Sequence, residues 1–325
     1  MIDKFGRKVN YLRLSVTDRC DLRCNYCMPK KNLKLYPKSE ILSLDNLKRI
    51  TKILINLGIK KIRVTGGEPL IRKDISQFLE FISSLKNQGL EEVLITTNGT
   101  QLKRYAKKIS DLGIKNINVS LDSLSSKKFK FLTNGGDLTD VLNGIYEAKK
   151  HKLDIKINTV LLKDFNENEI LKMVKWCADN NFKQTFIEVM PVGKVDLQRS
   201  SQFLPVSSAK EKIKKAFGLD PIFFKTNGPS RYYQTKKLNN IIGFISPLTN
   251  NFCSTCNRIR ITSNGILYPC LGDNGSTNLM DILKFNDNKL SQKIRHIVFN
   301  KPEKHFFTVD DKTYINNRYM NTTGG

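Results

Sequence analysis

The sequence predicts an α/β protein, a partial (β/α)6 TIM-like barrel followed by a smaller C-terminal region. Between Tyr11 and Met190, short β-rich runs alternate with helical patterns, which is typical of parallel βα units. After Val192 the alternation fades, so we expect a barrel core over residues 1–230 and a C-terminal region over residues 231–325. An open doubly wound sheet would show the same alternation, and both architectures bind ligands at the C-terminal ends of their strands.

Six runs are the predicted parallel strands, because each is short, β-rich and bounded by glycine or polar residues. They cover residues 11–16, 61–65, 92–96, 116–121, 154–161 and 184–190. Residues with special chemistry lie at or just after the strand ends: Cys20, Gly66, Gly67, Glu68, Thr97, Asn98, Gly99, Ser120, Asp122, Met190 and Pro191. Since the ends of parallel strands meet at one edge, we expect these residues to form one site.

Five helical patterns separate the strands. Ser43 is the predicted N-cap of the first, and Gly58 follows its end. The patterns run to about residue 57 and then over 75–86, 101–112, 138–151 and 167–180. A helix around 207–217 and short β-like runs are predicted in the remainder of the chain.

The charge of the chain favours anionic partners. Its 55 basic and 30 acidic side chains give a net charge of +25, which suits a nucleoside triphosphate, RNA or an acidic protein. The lysines are scattered, however, so we expect no nucleic-acid arm. No apolar run approaches the roughly 18 residues of a membrane span, and the first eight residues lack a signal-peptide pattern. We therefore expect a cytoplasmic protein without membrane contact.

Three cysteines near the N-terminus indicate an iron–sulfur cluster. Cys20, Cys24 and Cys27 form a C-x3-C-x2-C run, and three thiolates can hold three corners of a [4Fe–4S] cube. One iron would then stay open for a small-molecule ligand. A zinc knuckle is the alternative, but zinc prefers paired C-x2-C spacing and four protein ligands.

A second thiol group, Cys253, Cys256 and Cys270, has the spacing C-x2-C-x13-C. Either a second open [4Fe–4S] cluster or zinc with a non-cysteine fourth ligand fits three thiolates. We expect the spacer to form a hairpin that returns the third cysteine to the first two. Arg258 and Arg260 follow Cys256 and are two residues apart, so on a strand their side chains would point the same way. Two neighbouring guanidinium groups are suited to binding a phosphate chain.

Taken together, these motifs resemble the GTP 3′,8-cyclase family of the radical S-adenosylmethionine (SAM) superfamily, which opens molybdenum-cofactor biosynthesis. The resemblance covers nearly the whole chain and is weakest over residues 194–243 and 279–323. Besides the N-terminal cysteines, its segments occur in order: KIRVTGGEPL at 61–70, TTNG at 96–99, NVSLD at 118–122, FIEVM at 186–190, FCSTCNRIR at 252–260 and GG at 324–325.

The resemblance implies that the first cluster, once reduced, cleaves SAM to methionine and a 5′-deoxyadenosyl radical. That radical would remove a hydrogen from the ribose of GTP, whose carbon would then attack C8 of guanine. The product would be (8S)-3′,8-cyclo-7,8-dihydroguanosine 5′-triphosphate. The second cluster would bind the guanine base at its open iron.

The resemblance also implies residue roles. The SAM contacts would be Tyr26, Gly67, Ser120 and Met190. The GTP contacts would be Arg13, Arg63, Thr96, Lys156, Arg258 and Arg260. The tail residues Gly324 and Gly325 would enter the catalytic chamber and act there with Arg13.

The chain departs from the family pattern at Thr185, where many members carry a basic residue. One phosphate or radical-stage contact would therefore be either absent or replaced by Lys183. The stretch 132–136 also lacks an arginine common there. As partners, the resemblance implies a reductant protein of the flavodoxin or ferredoxin type and a downstream cyclic pyranopterin monophosphate synthase. The sequence leaves the oligomeric state open, with a homodimer as one option.

Three other interpretations compete with the cyclase. Peptide-modifying radical SAM enzymes also carry auxiliary clusters, but they usually bring more C-terminal cysteines than the three found here. A radical SAM enzyme acting on RNA would suit the charge, but no RNA-binding module is recognisable. A non-enzymatic electron carrier does not account for open clusters beside polar strand ends. The remaining cysteine, Cys177, is expected to be a small buried hydrophobe.

Overall fold

Six parallel strands form the centre of the molecule, as the alternation predicts. The structure is a computed structural model and describes residues 1–29, 33–193, 195, 199–224, 226, 228–307 and 318–324. The central strands are β1 (Tyr11–Ser15), β2 (Lys61–Thr65), β3 (Glu92–Thr97), β4 (Asn116–Ser120), β5 (Asp154–Leu161) and β6 (Lys183–Glu188). Each pairs in parallel with the next, so the sheet follows the chain order.

Helices connect these strands and cover one face of the sheet. They are α1 (Leu44–Asn56), α2 (Ile75–Ser84), α3 (Leu102–Asp111), α4 (Ser126–Leu132), α5 (Leu138–Lys150) and α6 (Ile170–Asp179). Ser43 caps α1 as predicted, because its side chain accepts a hydrogen bond from the Asn46 backbone N–H. The sequence analysis missed α4, since seven residues are too few to show a helical period.

The C-terminal part extends the same sheet at both edges. Its elements are α7 (Arg199–Gln202), α8 (Val206–Phe217), β7 (Asp220–Pro221), β8 (Arg231–Gln234), β9 (Ile241–Ile245), β10 (Arg258–Ile261), β11 (Ile266–Tyr268), β12 (Thr277–Asn278), α9 (Asp287–Phe299) and α10 (Met320–Thr323). The strand order is β12-β11-β10-β1-β2-β3-β4-β5-β6-β9-β8-β7. Strand β10 pairs in parallel with β1, which brings the second thiol group beside the start of the barrel.

Alternation along the strands separates the core from the site. In β1, Leu12 and Leu14 are fully buried in the main hydrophobic cluster with residues of the covering helices. Arg13, between them, lines a cavity on the other face. None of the helices that the structure describes is long and apolar enough to cross a membrane.

Candidate functional site

A cavity of about 590 Å³ on the inner face of the barrel contains the predicted site. All six cysteines of the two thiol groups line it. So do the predicted SAM contacts Tyr26, Gly67, Ser120 and Met190, and the predicted GTP contacts Arg13, Arg63, Thr96, Lys156, Arg258 and Arg260. The fold therefore brings together residues that lie far apart in the sequence, such as Cys20 and Cys270, which are 250 positions apart.

The inward side chains of the six strands form layers, because every second strand residue faces the cavity. The strands' first residues form what we call the floor: Tyr11, Lys61, Glu92, Asn116, Asp154 and Lys183. Two positions further along lie Arg13, Arg63, Leu94, Asn118, Lys156 and Thr185. The floor lies at the N-terminal strand ends, and the N-terminal cysteine loop follows the opposite end of β1.

Ion pairs neutralise much of the floor. Lys61 lies 2.8 Å from a carboxylate oxygen of Glu92, and Lys183 pairs with Asp154. Many family members carry a basic side chain at the position of Thr185, and the sequence suggested Lys183 as its substitute. Lys183, however, already has a carboxylate partner in Asp154. Thr185 itself is fully buried, and its hydroxyl makes no hydrogen bond in the described structure.

Hydrogen bonds fix the N-terminal cysteine loop to neighbouring strand ends. Asp21 accepts from Asn98 at 2.7 Å and from Thr100 at 2.6 Å, and the Leu22 N–H points at the Cys20 sulfur at 3.4 Å. A backbone donor aimed at a sulfur stabilises a thiolate, but burial has the larger effect and raises the pKa of the Cys20 and Cys24 thiols. A bound metal cluster would therefore have to supply the positive charge that stabilises the three thiolates.

Tyr26 connects the cysteine loop to the end of β4. Its hydroxyl donates to Asp122 at 2.8 Å, while the other carboxylate oxygen of Asp122 accepts from the Val160 N–H. Burial raises the pKa of Asp122 to about 6, against the opposing effect of these two donors. Burial likewise raises the pKa of Tyr26, so the phenol stays neutral.

The glycine motif after β2 allows close contact between two loops. A Cβ on Gly67 would lie 2.1 Å from the Arg19 carbonyl oxygen, so only glycine fits there. The next residue, Glu68, is fully buried and accepts hydrogen bonds from Leu70, Thr97 and Asn98. Burial raises its pKa to about 7, although these donors lower it. The motif therefore joins the loops after β1, β2 and β3.

Four arginines gather around the cavity beside β1. Arg63 donates to the Tyr11 hydroxyl at 2.7 Å and to the Thr96 hydroxyl at 3.2 Å. Burial and, to a smaller extent, the charge of Arg258 lower the pKa of Arg260 to about 10. Burial and the charge of Arg260 also lower the pKa of Arg13. Arg63 is buried and the other three arginines are partly buried, and such crowding of positive charge favours the binding of a polyanion.

The hairpin predicted for the second thiol group is confirmed, since β10 pairs antiparallel with β11 directly before Cys270. The Arg258 guanidinium approaches the Cys256 sulfur at 3.7 Å. Burial alone would raise the pKa of Cys256, but the charges of Arg258 and Lys301 lower it to about 7. These cations favour sulfur ligands in the thiolate form, as an iron–sulfur cluster requires.

Two buried cations near this site escaped the sequence analysis. Lys301 is 1% exposed, and Arg7 donates to the backbone oxygen of Cys253 at 2.8 Å while pairing with Asp3. Neither lies in a motif or a periodic pattern that would mark it. Within the described residues, no group of three or more His, Cys, Asp or Glu side chains is arranged to hold a single metal ion.

The C-terminal tail is part of the cavity wall. Met320 and Asn321 line the cavity, and Asn321 donates to the Asp18 carbonyl at 2.8 Å. The carbonyl of Gly324 accepts hydrogen bonds from Arg13 at 3.1 Å and from Arg260 at 2.9 Å. Gly325, to which the sequence analysis also assigned a catalytic role, lies outside the described residues.

Comparisons with known proteins agree with this geometry. The Radical SAM superfamily matches residues 14–177, and the family described as Molybdenum Cofactor Synthesis C matches residues 182–307. Proteins named GTP 3′,8-cyclase from Brucella ovis and Brucella canis are each 43% identical to the chain over 330 aligned positions. Both alignments cover 100% of this chain and 96% of the relative.

Solved structures share the fold at low identity. SuiB from Streptococcus suis, bound to S-adenosylmethionine, superposes with a TM-score of 0.60 at 18% identity over 91% of this chain. The chain spans 64% of SuiB. A structure of anSMEcpe with bound AdoMet gives a TM-score of 0.57 at 17% identity, covering 86% of this chain and 78% of the other. At these identities the similarity concerns the fold alone.

Proposed function

The chain belongs to the GTP 3′,8-cyclase family of radical SAM enzymes, and from this we propose that it converts GTP to (8S)-3′,8-cyclo-7,8-dihydroguanosine 5′-triphosphate in molybdopterin biosynthesis. One observation carries the proposal: two groups of three thiols and four arginines line the same cavity. Three thiolates can ligate three irons of a [4Fe–4S] cluster and leave the fourth iron open. The guanidinium groups of the arginines are suited to binding a triphosphate. The peptide-modifying alternative is not favoured. SuiB, also solved with a bound precursor peptide, is similar in fold alone at 17% identity, whereas a GTP 3′,8-cyclase is 43% identical over the full chain.

The cofactors of the family are [4Fe–4S] clusters and SAM. We propose that Cys20, Cys24 and Cys27 hold the first cluster and that Cys253, Cys256 and Cys270 hold the second. The proposed SAM contacts are Tyr26, Gly67, Ser120 and Met190. When bound, the first cluster and SAM supply a 5′-deoxyadenosyl radical. The residues of this chain orient the two cofactors, hold GTP and keep the reacting atoms in one cavity.

The four arginines and Lys156 are the residues that we propose to bind GTP. Arg13, Arg63, Arg258 and Arg260 lie in neighbouring strands, whose register places Arg13 opposite both Arg63 and Arg260. Across the cavity, Lys156 donates to the Tyr232 hydroxyl at 2.9 Å, which fixes the direction of its ammonium group. Thr96 is the last of the proposed GTP contacts, and its hydroxyl accepts a hydrogen bond from Arg63. Charge-assisted contacts of this type hold a triphosphate in one orientation.

We propose that the tail acts in the reaction through Arg13 and Gly324. The Gly324 carbonyl is a neutral acceptor for two guanidinium groups that would otherwise repel each other. In this proposal the carbonyl holds Arg13 in the orientation that meets GTP. Gly325 would extend the same segment.

The proposed partners follow from the chemistry. The first cluster needs single electrons, which a reductant of the flavodoxin or ferredoxin type would supply. A cyclic pyranopterin monophosphate synthase would consume the product. The cytoplasm is the proposed compartment, and a homodimer is one option for the assembly. We also propose the division into a core over residues 1–230 and a C-terminal region over residues 231–325.

Anaerobic turnover tests the proposal directly. With SAM, a reductant and a nucleotide, GTP should yield a cyclised triphosphate, whereas ATP and CTP should not. Formation of 5′-deoxyadenosine without any change to GTP, alongside turnover of a peptide, would refute the assignment.

Two cysteine variants separate the half-reactions. Cys24→Ala should abolish SAM cleavage, because the radical-generating cluster lacks a ligand. Cys256→Ala should retain some uncoupled SAM cleavage but lose GTP conversion. Both are measured as 5′-deoxyadenosine and nucleotide product by chromatography. Equal loss of both activities in a folded Cys256→Ala protein would contradict separate roles for the two clusters.

A further inference from the structure

Lys301 is a buried cation without a carboxylate partner. Its side chain is 1% exposed, which makes it one of the largest fully buried side chains that the structure describes. Its Nζ donates to the backbone carbonyl of Arg258 at 3.0 Å and to that of Pro269. Over the described part of the chain, Lys301 takes part in none of the ion pairs, which run from Arg7–Asp3 to Lys236–Asp220.

A buried ammonium group requires nearby negative charge. Lysine is almost never fully buried unless it is paired, because an isolated charge loses its hydration without compensation. Two carbonyl dipoles satisfy two of its three N–H donors but supply no net charge. The contrast with Arg7 is direct, since that buried cation, near the same thiol group, has Asp3 at 2.6 Å.

The position of Lys301 identifies the missing anion. Pro269 directly precedes Cys270, and Arg258 lies two residues after Cys256. Lys301 lines the same cavity as all three cysteines of the second thiol group. The thiolates of a cluster held there would be the negative charge that the ammonium lacks.

We propose that Lys301 is a positioning residue and counter-ion for the second iron–sulfur cluster. Its two hydrogen bonds join strand β10, which follows Cys256, to the segment that carries Cys270. They therefore fix the distance between these two proposed ligands. Its charge stabilises the cluster, and more strongly the reduced cluster, which carries one more negative charge. The proposal rests on the assignment of Cys253, Cys256 and Cys270 as ligands.

Four variants separate charge from hydrogen bonding. Lys301→Met removes both, Lys301→Gln retains an N–H donor without charge, and Lys301→Arg retains charge and donors. Lys304→Met is the matched control, because Lys304 is an exposed lysine of the same segment. Iron and sulfide are measured in the full-length holoenzyme after anaerobic reconstitution and chelator challenge. The midpoint potential of the second cluster is measured by EPR titration in full-length protein carrying Cys24→Ala.

Wild type, Lys301→Arg and Lys304→Met should hold about eight irons per chain. Lys301→Met should lose the second cluster's iron to the chelator at least about ten-fold faster, as expected for loss of an outer partner of a metal site. In Lys301→Gln, the midpoint potential should fall, because the reduced cluster loses its counter-ion. First-cluster iron and SAM binding should be unchanged in all variants, which reports that the protein is folded.

Retention of the second cluster at wild-type rate in Lys301→Met would overturn the proposal. So would a wild-type midpoint potential in Lys301→Gln, which tests the charge even if the methionine variant does not fold. If the wild-type protein held only about four irons per chain, the assignment of Cys253, Cys256 and Cys270 as cluster ligands would itself be refuted. The two failures are therefore distinguishable.

Discussion

Gly324 occupies a position where a side chain is excluded by its surroundings. Its φ is +72°, and a Cβ would lie 2.3 Å from Cγ2 of Thr65. The left-handed conformation costs other residues about 1–2 kcal/mol, and the close contact adds to that cost. Glycine therefore allows the tail to place its carbonyl against Arg13 and Arg260.

Gly324→Ala should consequently displace the tail and suppress GTP cyclisation, while both clusters and SAM binding persist. Product formation and iron content measure the two effects. Gly6→Ala is the matched control, because Gly6 has a similar φ of +78° with no atom within 4 Å of the added Cβ. Normal turnover in Gly324→Ala would show that the tail contact does not serve the reaction.

Cys177 is the remaining cysteine, and the structure places it in the core. It is fully buried on α6, and burial raises the pKa of its thiol. In the holoenzyme the other six cysteines are proposed cluster ligands. A charged thiol reagent at pH 8 should therefore find no rapidly reacting thiol in the native enzyme, and cysteines should react only after denaturation. One fast-reacting thiol that disappears in Cys177→Ala would contradict this prediction.

At the scale of elements, α4 is tied to the cysteine loop. The backbone N–H groups of Arg23 and Asn25 donate to carbonyls of Thr133 and Leu132, at the end of the helix. The exposed side of α4 carries Lys127, Lys130 and Phe131, and Arg23 is exposed beside it. This surface is basic and aromatic and lies next to the proposed ligands of the first cluster. If an acidic electron carrier is the reductant, as proposed above, it should dock here.

Charge reversal tests this surface. Replacing Arg23, Lys127 and Lys130 with glutamate should slow reduction by flavodoxin by roughly one to two decades, because electrostatic steering is lost. Reduction by dithionite should change little. Reversal of Lys107, Lys150 and Lys175, which lie on α3, α5 and α6, provides the control. Equal rates with flavodoxin for the two triple variants would exclude α4 as the docking surface.

At the scale of the whole molecule, the 55 basic side chains that outnumber the acidic ones by 25 have two components. The first lies on the surface and includes lysines in exposed ion pairs, such as Lys107 with Asp111, which add nothing to the net charge and little to stability. The second component, which we propose to be functional, is the group of four arginines that meets in the cavity when β10 pairs with β1. Only this second component should control the binding of an anionic substrate.

GTP binding should therefore weaken as salt rises, whereas SAM binding should change little. Arg260→Ala should lower GTP affinity by roughly one to two decades, since a charge-assisted contact contributes about 1.5–3 kcal/mol. Calorimetry at several salt concentrations measures both ligands, with Lys107→Ala as the surface control. Unchanged GTP affinity in Arg260→Ala would remove this residue from the site.

Much of the site was predictable because its signals are local. Each motif is recognisable from residues that lie close together in the sequence. Examples are the three cysteines within eight residues, the glycines at a strand end and the two arginines two positions apart. The strand and helix pattern likewise follows from local periodicity, and its boundaries were within a few residues of those observed. The short helix α4 was missed because it is shorter than the window over which periodicity is visible.

The barrel's order of elements, the two thiol groups and the family resemblance are therefore all legible in the amino-acid sequence. Which strands lie side by side, and which groups neutralise the buried charges, became clear only from the folded chain. Arg7 meets the Cys253 carbonyl across 246 residues, and Lys301 meets the Arg258 carbonyl across 43. No local pattern encodes such pairs, because hydrogen-bond partners and charge compensation depend on distances that are set when the sheet assembles.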